Sequence, residues 1–194
     1  MPKQVDPTKK RSEFIAASWN VIAEQGFGAV SMRSVAAAAG CTTGALTHYF
    51  SDRHALLVEA LKAAHVAARD RMASKAALAD TDFLRLRGVL MESLPLDDQR
   101  IREWKVWLAF WGASMSDAAL SAENHQRYDE WQQAIQRLLR PLSENPTADA
   151  ALLIALIDGL GLGVVRDSEG GQRLIEKQTE CRSTIDRFLS QLLT

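Results

Sequence analysis

Only two cysteines, Cys41 and Cys181, occur in the 194 residues. Far apart and without metal-ligand spacing or a secretory framework, they exclude a disulfide-stapled scaffold and make a reducing cytoplasm the expected location. The four histidines, His48, His54, His65 and His125, include no HExxH pair. No cysteine or carboxylate joins them in a ligand cluster, so no metal or other cofactor is expected, and an enzyme has no motif to rest on. Sustained period-two alternation is missing, which argues against a sheet. Long apolar runs are scarce as well. The longest, ALLIALIDGLGLGVV from Ala151, is interrupted by Asp158 and reads as too short to span a bilayer, so no membrane partner is expected. The start, MPKQVDPTKKR, is basic but runs into an amphipathic segment rather than an apolar signal core, which predicts no export.

What is present is a globular composition, 47% hydrophobic and 24% charged, enough for one large or two small domains with a real core. The net charge of −1 conceals an asymmetry: residues 1 to 62 carry seven Lys and Arg against five Asp and Glu, the remainder sixteen against nineteen. A mildly basic head on an acidic body suits a nucleic-acid-binding end, and equally an ordinary solvated surface.

Apolar residues recur at helical spacing almost throughout. Ile15, Trp19 and Ile22 share one face of a first helix over about 8–25, ended by the GFG at 26–28. Ser31 is placed to cap a second helix through Ala39, and Gly40 to stop it in a left-handed conformation. Thr42 then caps a short third helix, and a fourth runs from about Asp52 past Met72. Beyond a break near LADTD, further helices are predicted over 83–94, 98–116, 118–140, 147–165 and 171–193, separated by Pro95, Pro141, Pro146 and DSEGG. The fold class expected is all-α, with about nine helices.

The stretch GCTTGALTHYF, residues 40 to 50, is too short and too polar for a core helix. Two helices joined at Gly40 make a helix-turn-helix, whose second helix lies in a major groove of DNA. Leu46 and Phe50 anchor that helix to Trp19 and Val35, leaving Thr43, Gly44, Ala45, Thr47 and His48 outside. Small residues let the backbone approach closely; Thr43, Thr47 and His48 can reach base edges or phosphates, and the Tyr49 hydroxyl a phosphate. A helix-turn-helix that only packs on protein is the plainer alternative. The segment SMRSVAAAAGCTTGALTHYFSDRHALL resembles the DNA-binding head of the TetR family of repressors. The resemblance implies that Thr42, Thr43, Gly44, Thr47, His48 and Tyr49 face DNA, with Arg33 and Arg53 flanking at phosphates. Thr47 stands where many members carry tyrosine, and Arg53 and His54 replace the more usual Lys-Glu pair.

Four of the five tryptophans fall between 104 and 131. Trp104, Trp107 and Trp111 form one helical stripe, with Phe110 beside it, and Tyr128 and Trp131 repeat the spacing on the next helix. Such rings can cage a quaternary ammonium group, which has no N–H to donate, or simply fill a core. KVWLAFWGASMSDAAL together with ALIDGL resembles the BetI-type branch, the choline-responsive repressors of glycine betaine synthesis. Gly161 and Gly163 depart from it, standing where a bulky aromatic and a basic or small residue are expected. Asp158 is either a polar contact at a helix interface or the anionic partner of a cationic ligand, and burial demands that it have some partner.

Two stripes suggest a homodimer. Ala151, Ala155, Gly159 and Gly163 form a ladder of small residues that admits another helix, and Leu174, Gln178, Cys181, Ile185, Phe188 and Leu192 form a seam four and three apart. Both can be satisfied within one chain. Together, and with the resemblance, they imply a four-helix interface between two copies that includes Asp158. The expectation is therefore a homodimeric repressor with a DNA-binding domain over 1–52 and an effector-binding, dimerising domain over 53–194. Its partners are double-stranded operator DNA and a small effector; the alternative is a helical ligand-binding or interaction module that never touches DNA.

Overall fold

A computed structural model describes residues 6–192; residues 1–5, the beginning of the basic start, and 193–194 lie outside the described residues. The first helix, α1 (Pro7–Gln25), begins where the Asp6 carboxylate accepts the Thr8 N–H at 2.9 Å and where proline lacks an N–H that a helix start leaves unused anyway. It ends at Gly26, whose φ of 85° suits a residue without a Cβ, and a 3-10 turn (Phe27–Ala29) follows. Helix α2 (Met32–Ala38) is capped by Ser31 in a reciprocal box with Ser34, and α3 (Thr43–Thr47) by Thr42. Then come α4 (Arg53–Ala77), α5 (Asp82–Ser93), α6 (Asp98–Ser114), α7 (Ala118–Leu139), α8 (Pro146–Arg166) and α9 (Gln172–Leu192). Among the described residues there are nine α-helices and no strand, the all-α class read from the periodicity.

The chain forms two compact units. The first runs through His65 and takes in Lys105–Asn124. Phe14, Val35, Leu46, Phe50 and Leu61 share its buried cluster with Val106 and Phe110 of α6 and Leu120 of α7. The expected boundary at residue 52 thus falls inside this unit. The helix-turn-helix alone is too small to cover its own apolar surface, and the second half of α6 supplies the missing side chains. Trp19 closes one side by donating its indole N–H to the Ala60 carbonyl at 3.0 Å.

The second unit comprises Val66–Trp104 and the chain from His125 onward. Here α9 packs on α5 and α8. Arg87 of α5 meets Asp186 of α9 with Nε–Oδ1 at 2.6 Å, and the Gln178 amide donates to the Pro95 carbonyl at 3.3 Å. Arg71 of α4 donates to both carboxylate oxygens of the buried Glu103 on α6, at 2.9 and 2.7 Å. That fork satisfies a carboxylate whose isolation at 5% exposure would be costly.

Two readings from sequence are corrected here. Cys181 and Ile185, taken as dimer contacts, are 1% and 0% exposed inside the single chain, and the Cys181 thiol lies against the Leu160 carbonyl. The α9 seam is closed by α5 and α8 of the same molecule. The apolar stretch around Asp158 also extends further than read: α8 is long and apolar enough to cross a membrane by length and composition, with mean hydropathy 2.0 over an 18-residue window. Leu153, Ile154, Ile157 and Val164 on one side of this helix are buried in the second unit, while 33% of the 18-residue window is buried in all.

Candidate nucleic-acid interface and aromatic site

The turn between α2 and α3 is built by local chemistry. Gly40 adopts φ 65°, a left-handed conformation that costs glycine little, and the Cys41 N–H returns to the Ala36 carbonyl at 2.9 Å. The Thr42 hydroxyl accepts the Ala45 N–H at 3.2 Å and starts α3. Leu46 and Phe50 lock the helix into the core at 0% and 2% exposure, as the spacing predicts.

The opposite side is open. Thr42, Thr43, Gly44, Thr47 and His48 are all exposed, as is Arg33 on α2. A Cβ added to Gly44 would find nothing nearer than the Thr42 hydroxyl at 3.8 Å, so nothing inside the protein requires glycine there. The residue keeps the outer surface flat. The Thr47 hydroxyl donates to the Gly44 carbonyl at 2.9 Å, an intrahelical bond that a rotation about χ1 exchanges for an outside acceptor. Tyr49 is half-buried with its ring edge on Phe14, centroids 5.2 Å apart.

Arg53, assigned to a flanking phosphate by the resemblance, also has a role inside the fold. Its Nε donates to the Val30 carbonyl at 2.7 Å and Nη2 to that of Phe27 at 3.2 Å, while the guanidinium stacks on the Phe27 ring. It pins the 3-10 turn, and through it the start of α2, to the head of α4. Sequence reasoning missed a second such arginine. Arg11 donates to the Tyr49 carbonyl at 3.0 Å, lies 4.6 Å from the Phe50 ring centroid and pairs with Glu59 at 3.1 Å. It thereby holds the C-terminal end of α3 against α1 and α4. In the sequence Arg11 is one of several basic residues near the start, and nothing local distinguishes it.

The aromatic stripe divides between the two units. Phe110 is 0% exposed with its ring edge on Phe27 at 5.5 Å, a core residue of the first unit rather than a free ligand face. Trp107 packs on the same core, its ring 6.1 Å from that of His65, and Trp111 is half-buried in the same unit. Trp104, Tyr128 and Trp131 belong to the second unit. Trp104 donates its indole N–H to the Ser93 carbonyl at 2.8 Å, and its six-membered ring lies on α8 at Gly161, where an added Cβ would come within 2.1 Å. An aromatic ring therefore does cover α8 at residue 161, supplied from α6. Tyr128 and Trp131 are both half-buried on α7.

Asp158 finds its partner within the chain: the Tyr128 hydroxyl donates to its carboxylate. That pairing turns it toward α7, against the expectation that it lies in a contact between copies. Burial pushes the Asp158 carboxyl above the usual carboxylate range, opposed by the Tyr128 hydrogen bond. The Tyr128 hydroxyl is pushed up by burial and by the neighbouring carboxylate.

The remaining predicted contacts occupy one exposed side of α8. Ala151, Ala155 and Gly159 are exposed and Gly163 is half-buried. Leu152 and Leu162, 56% and 53% exposed, join them, as does Ile175 on α9 at 57%. Phe188 and Leu192 are half-buried on α9.

Residues 14–60 match the family described as bacterial regulatory proteins, tetR family, and residues 84–194 that described as BetI-type transcriptional repressor, C-terminal. The chain is 33% identical over 178 residues to the HTH-type transcriptional regulator PksA of Bacillus subtilis, covering 86% of this chain and 84% of the relative. It is 30% identical over 201 residues to the HTH-type transcriptional regulator BetI of Vibrio atlanticus, covering 100% and 96%. Among solved structures, a transcriptional regulator from Saccharomonospora viridis in complex with choline superposes with a TM-score of 0.81 at 24% identity, over 92% of this chain and 96% of that one.

Proposed function

The chain belongs to the TetR family of transcriptional regulators, with a BetI-type C-terminal region, and on that premise we propose that it is a homodimeric repressor released by a small organic cation. The chain is a regulator of transcription, not an enzyme. The observation that carries the DNA-binding part is α3 itself: five residues long, held from beneath by Leu46, and presenting Thr42, Thr43, Gly44, Thr47 and His48 outward. Such a helix enters a major groove, its hydroxyls and imidazole reaching base edges and phosphates.

The exposed Leu152, Ala155, Gly159 and Leu162 side of α8 supports pairing with the same surface of a second copy, since an apolar stripe with a small-residue centre permits close helix approach. Two heads related by a two-fold axis read a near-palindrome whose half-site centres lie about one helical turn of 10 base pairs, or a multiple of it, apart. The protein works in the cytoplasm, where its operator is, and α8 spends its apolar surface on the core and on the second copy instead of on a bilayer.

For the effector, the aromatic side chains of the second unit, Trp104, Tyr128 and Trp131, supply ring faces that attract a cation. The choline held by the Saccharomonospora viridis regulator gives the class to try first. An effector lifts repression only by binding better to the form whose heads do not fit the operator. The test begins with selection of the operator from a random DNA pool. Choline and betaine aldehyde are then titrated while operator binding and tryptophan fluorescence are followed together. A near-palindromic operator released in step with the fluorescence change is the expected result. Enrichment of no sequence, with DNA retention indifferent to salt, defeats the DNA-binding part; quenching without release defeats the effector part.

A further inference from the structure

We propose that Asp158 is the counter-charge of the effector site, so that the ligand is recognised by its positive charge and not only by the fit of its methyl groups to aromatic rings. The inference rests on the reading of the second unit as the effector domain and deepens it by naming the group that selects a cation.

The placement carries the argument. Asp158 sits on α8 between the buried Ile154 and Ile157 on one side and Gly161 and Val164 on the other, an apolar stretch with no structural call for a carboxylate. Its neighbour is a neutral phenol, Tyr128, rather than a basic side chain. A half-buried carboxylate met by one hydroxyl still has most of its acceptor capacity free, and it lacks the opposite charge that would offset its desolvation. The raised carboxyl pKa has that origin: burial drives it up, and no Lys, Arg or His among the described residues contributes to lowering it.

The second observation is the ring beside it. Gly161 follows Asp158 by three residues, which puts the two positions on one face of α8, their Cβ positions about 5 to 6 Å apart. The Trp104 ring occupies the space over Gly161 that any side chain there would fill. The carboxylate with its phenol partner and the indole are therefore stationed at two positions one turn apart on one face of α8. Ring faces attract a cation through their quadrupoles, and a carboxylate does so through its full charge; neither has an attraction of that kind for a neutral molecule of the same shape. The Tyr128 hydroxyl, by donating to one side of Asp158, fixes the carboxylate and leaves the rest of it to the ligand.

The experiment uses the full-length protein and two probes of nearly equal shape: choline and its uncharged carbon analogue 3,3-dimethylbutan-1-ol. Binding is followed by tryptophan fluorescence and calorimetry at fixed ionic strength. The parent protein binds choline at least about tenfold more tightly than the analogue, and in Asp158→Asn, whose amide oxygen still accepts from Tyr128, that preference shrinks to within about threefold. Equal affinity of the parent for both probes overturns the proposal, as does an Asp158→Asn protein that melts like the parent and keeps its preference; in the latter case the cation reading of the site survives. Should the parent bind none of choline, betaine aldehyde and tetramethylammonium while still binding its operator, both the counter-charge and the cationic effector fall. If Asp158→Asn does not fold, Tyr128→Phe decides together with the parent's own selectivity. It keeps the ring and removes the hydrogen bond that holds the buried carboxyl in its ionised form, so choline binds a few-fold more weakly and the analogue unchanged; an equal change in both overturns the assignment.

Discussion

Gly161→Ala adds one methyl group at the point where the structure has no room for it. The new Cβ would lie 2.1, 2.3 and 2.4 Å from three carbons of the Trp104 six-membered ring, all well inside van der Waals contact. The ring cannot swing aside freely, because Trp104 is 7% exposed and its N–H is committed to the Ser93 carbonyl. Overpacking of this kind costs about 1 to 3 kcal/mol. Against it stands the gain from replacing glycine in a helix interior, about 1 kcal/mol. The net loss is about 1 kcal/mol, which lowers the melting temperature by about 2 to 4 °C for a chain of this size. Differential scanning fluorimetry and tryptophan emission are the assays, since the displaced indole changes its surroundings. Trp104→Phe removes the outer atoms that clash, so in that background Gly161→Ala should turn stabilising, and the difference between backgrounds measures the contact directly. Gly112→Ala, at an exposed position inside α6 with nothing within 4 Å of its added Cβ, is the control for helix propensity. A Gly161→Ala protein as stable as the parent, with unchanged emission and no dependence on residue 104, would refute the placement of Trp104 over α8.

Thr47→Ala and Tyr49→Phe should leave the melting temperature nearly unchanged while weakening operator binding by roughly 1 to 3 kcal/mol where a base contact is lost, because Thr47 is exposed and the Phe14 contact of Tyr49 is made by its ring; parental affinity in gel-shift titrations of both counts against this face. Arg53→Met should do the reverse of a phosphate contact. It leaves two backbone carbonyls without their donor and destabilises the head by about 1 to 3 kcal/mol, with a slope of operator affinity against salt like that of the parent. A stable variant with a shallower salt slope would return Arg53 to the phosphates. Gly159→Leu fills the small centre of the exposed α8 side and should shift sedimentation toward monomer with loss of operator binding; a fully dimeric variant moves the interface elsewhere.

The parts of this molecule that were legible in the sequence are those fixed by neighbours in the chain. Ser31, Gly40 and Thr42 act on backbone groups within five residues of themselves, so the turn and the start of α3 could be placed from residue types alone. The alternation of Leu46 and Phe50 with exposed threonines likewise follows from the helical repeat. Arg11, Arg53 and Arg71 were not legible, because their roles depend on carbonyls, rings and carboxylates brought near only by folding. The seam on α9 shows a different limit. A stripe of apolar residues four and three apart states that a helix packs alongside, and states nothing about whose helix it is; here α5 and α8 of the same chain close over Cys181 and Ile185. Gly161 and Trp104 illustrate the same point from the other side, since a missing aromatic at one position is made good by a ring from another helix.

The division between the two units is not made at loops. It falls within helices: α4 passes from the first unit to the second after His65, α6 enters the first at Lys105, and α7 leaves it after Asn124. On α6, Trp104 meets Gly161 in the second unit, while Phe110, under two turns further on, is sealed into the first against Phe27, the residue on which Arg53 stacks. Any effect of a ligand on operator binding is bounded by its difference in affinity for the DNA-fitting and non-fitting arrangements, not by its affinity for either. For a site built around Asp158, that difference comes from how closely the carboxylate and the Trp104 ring converge on the cation in each arrangement.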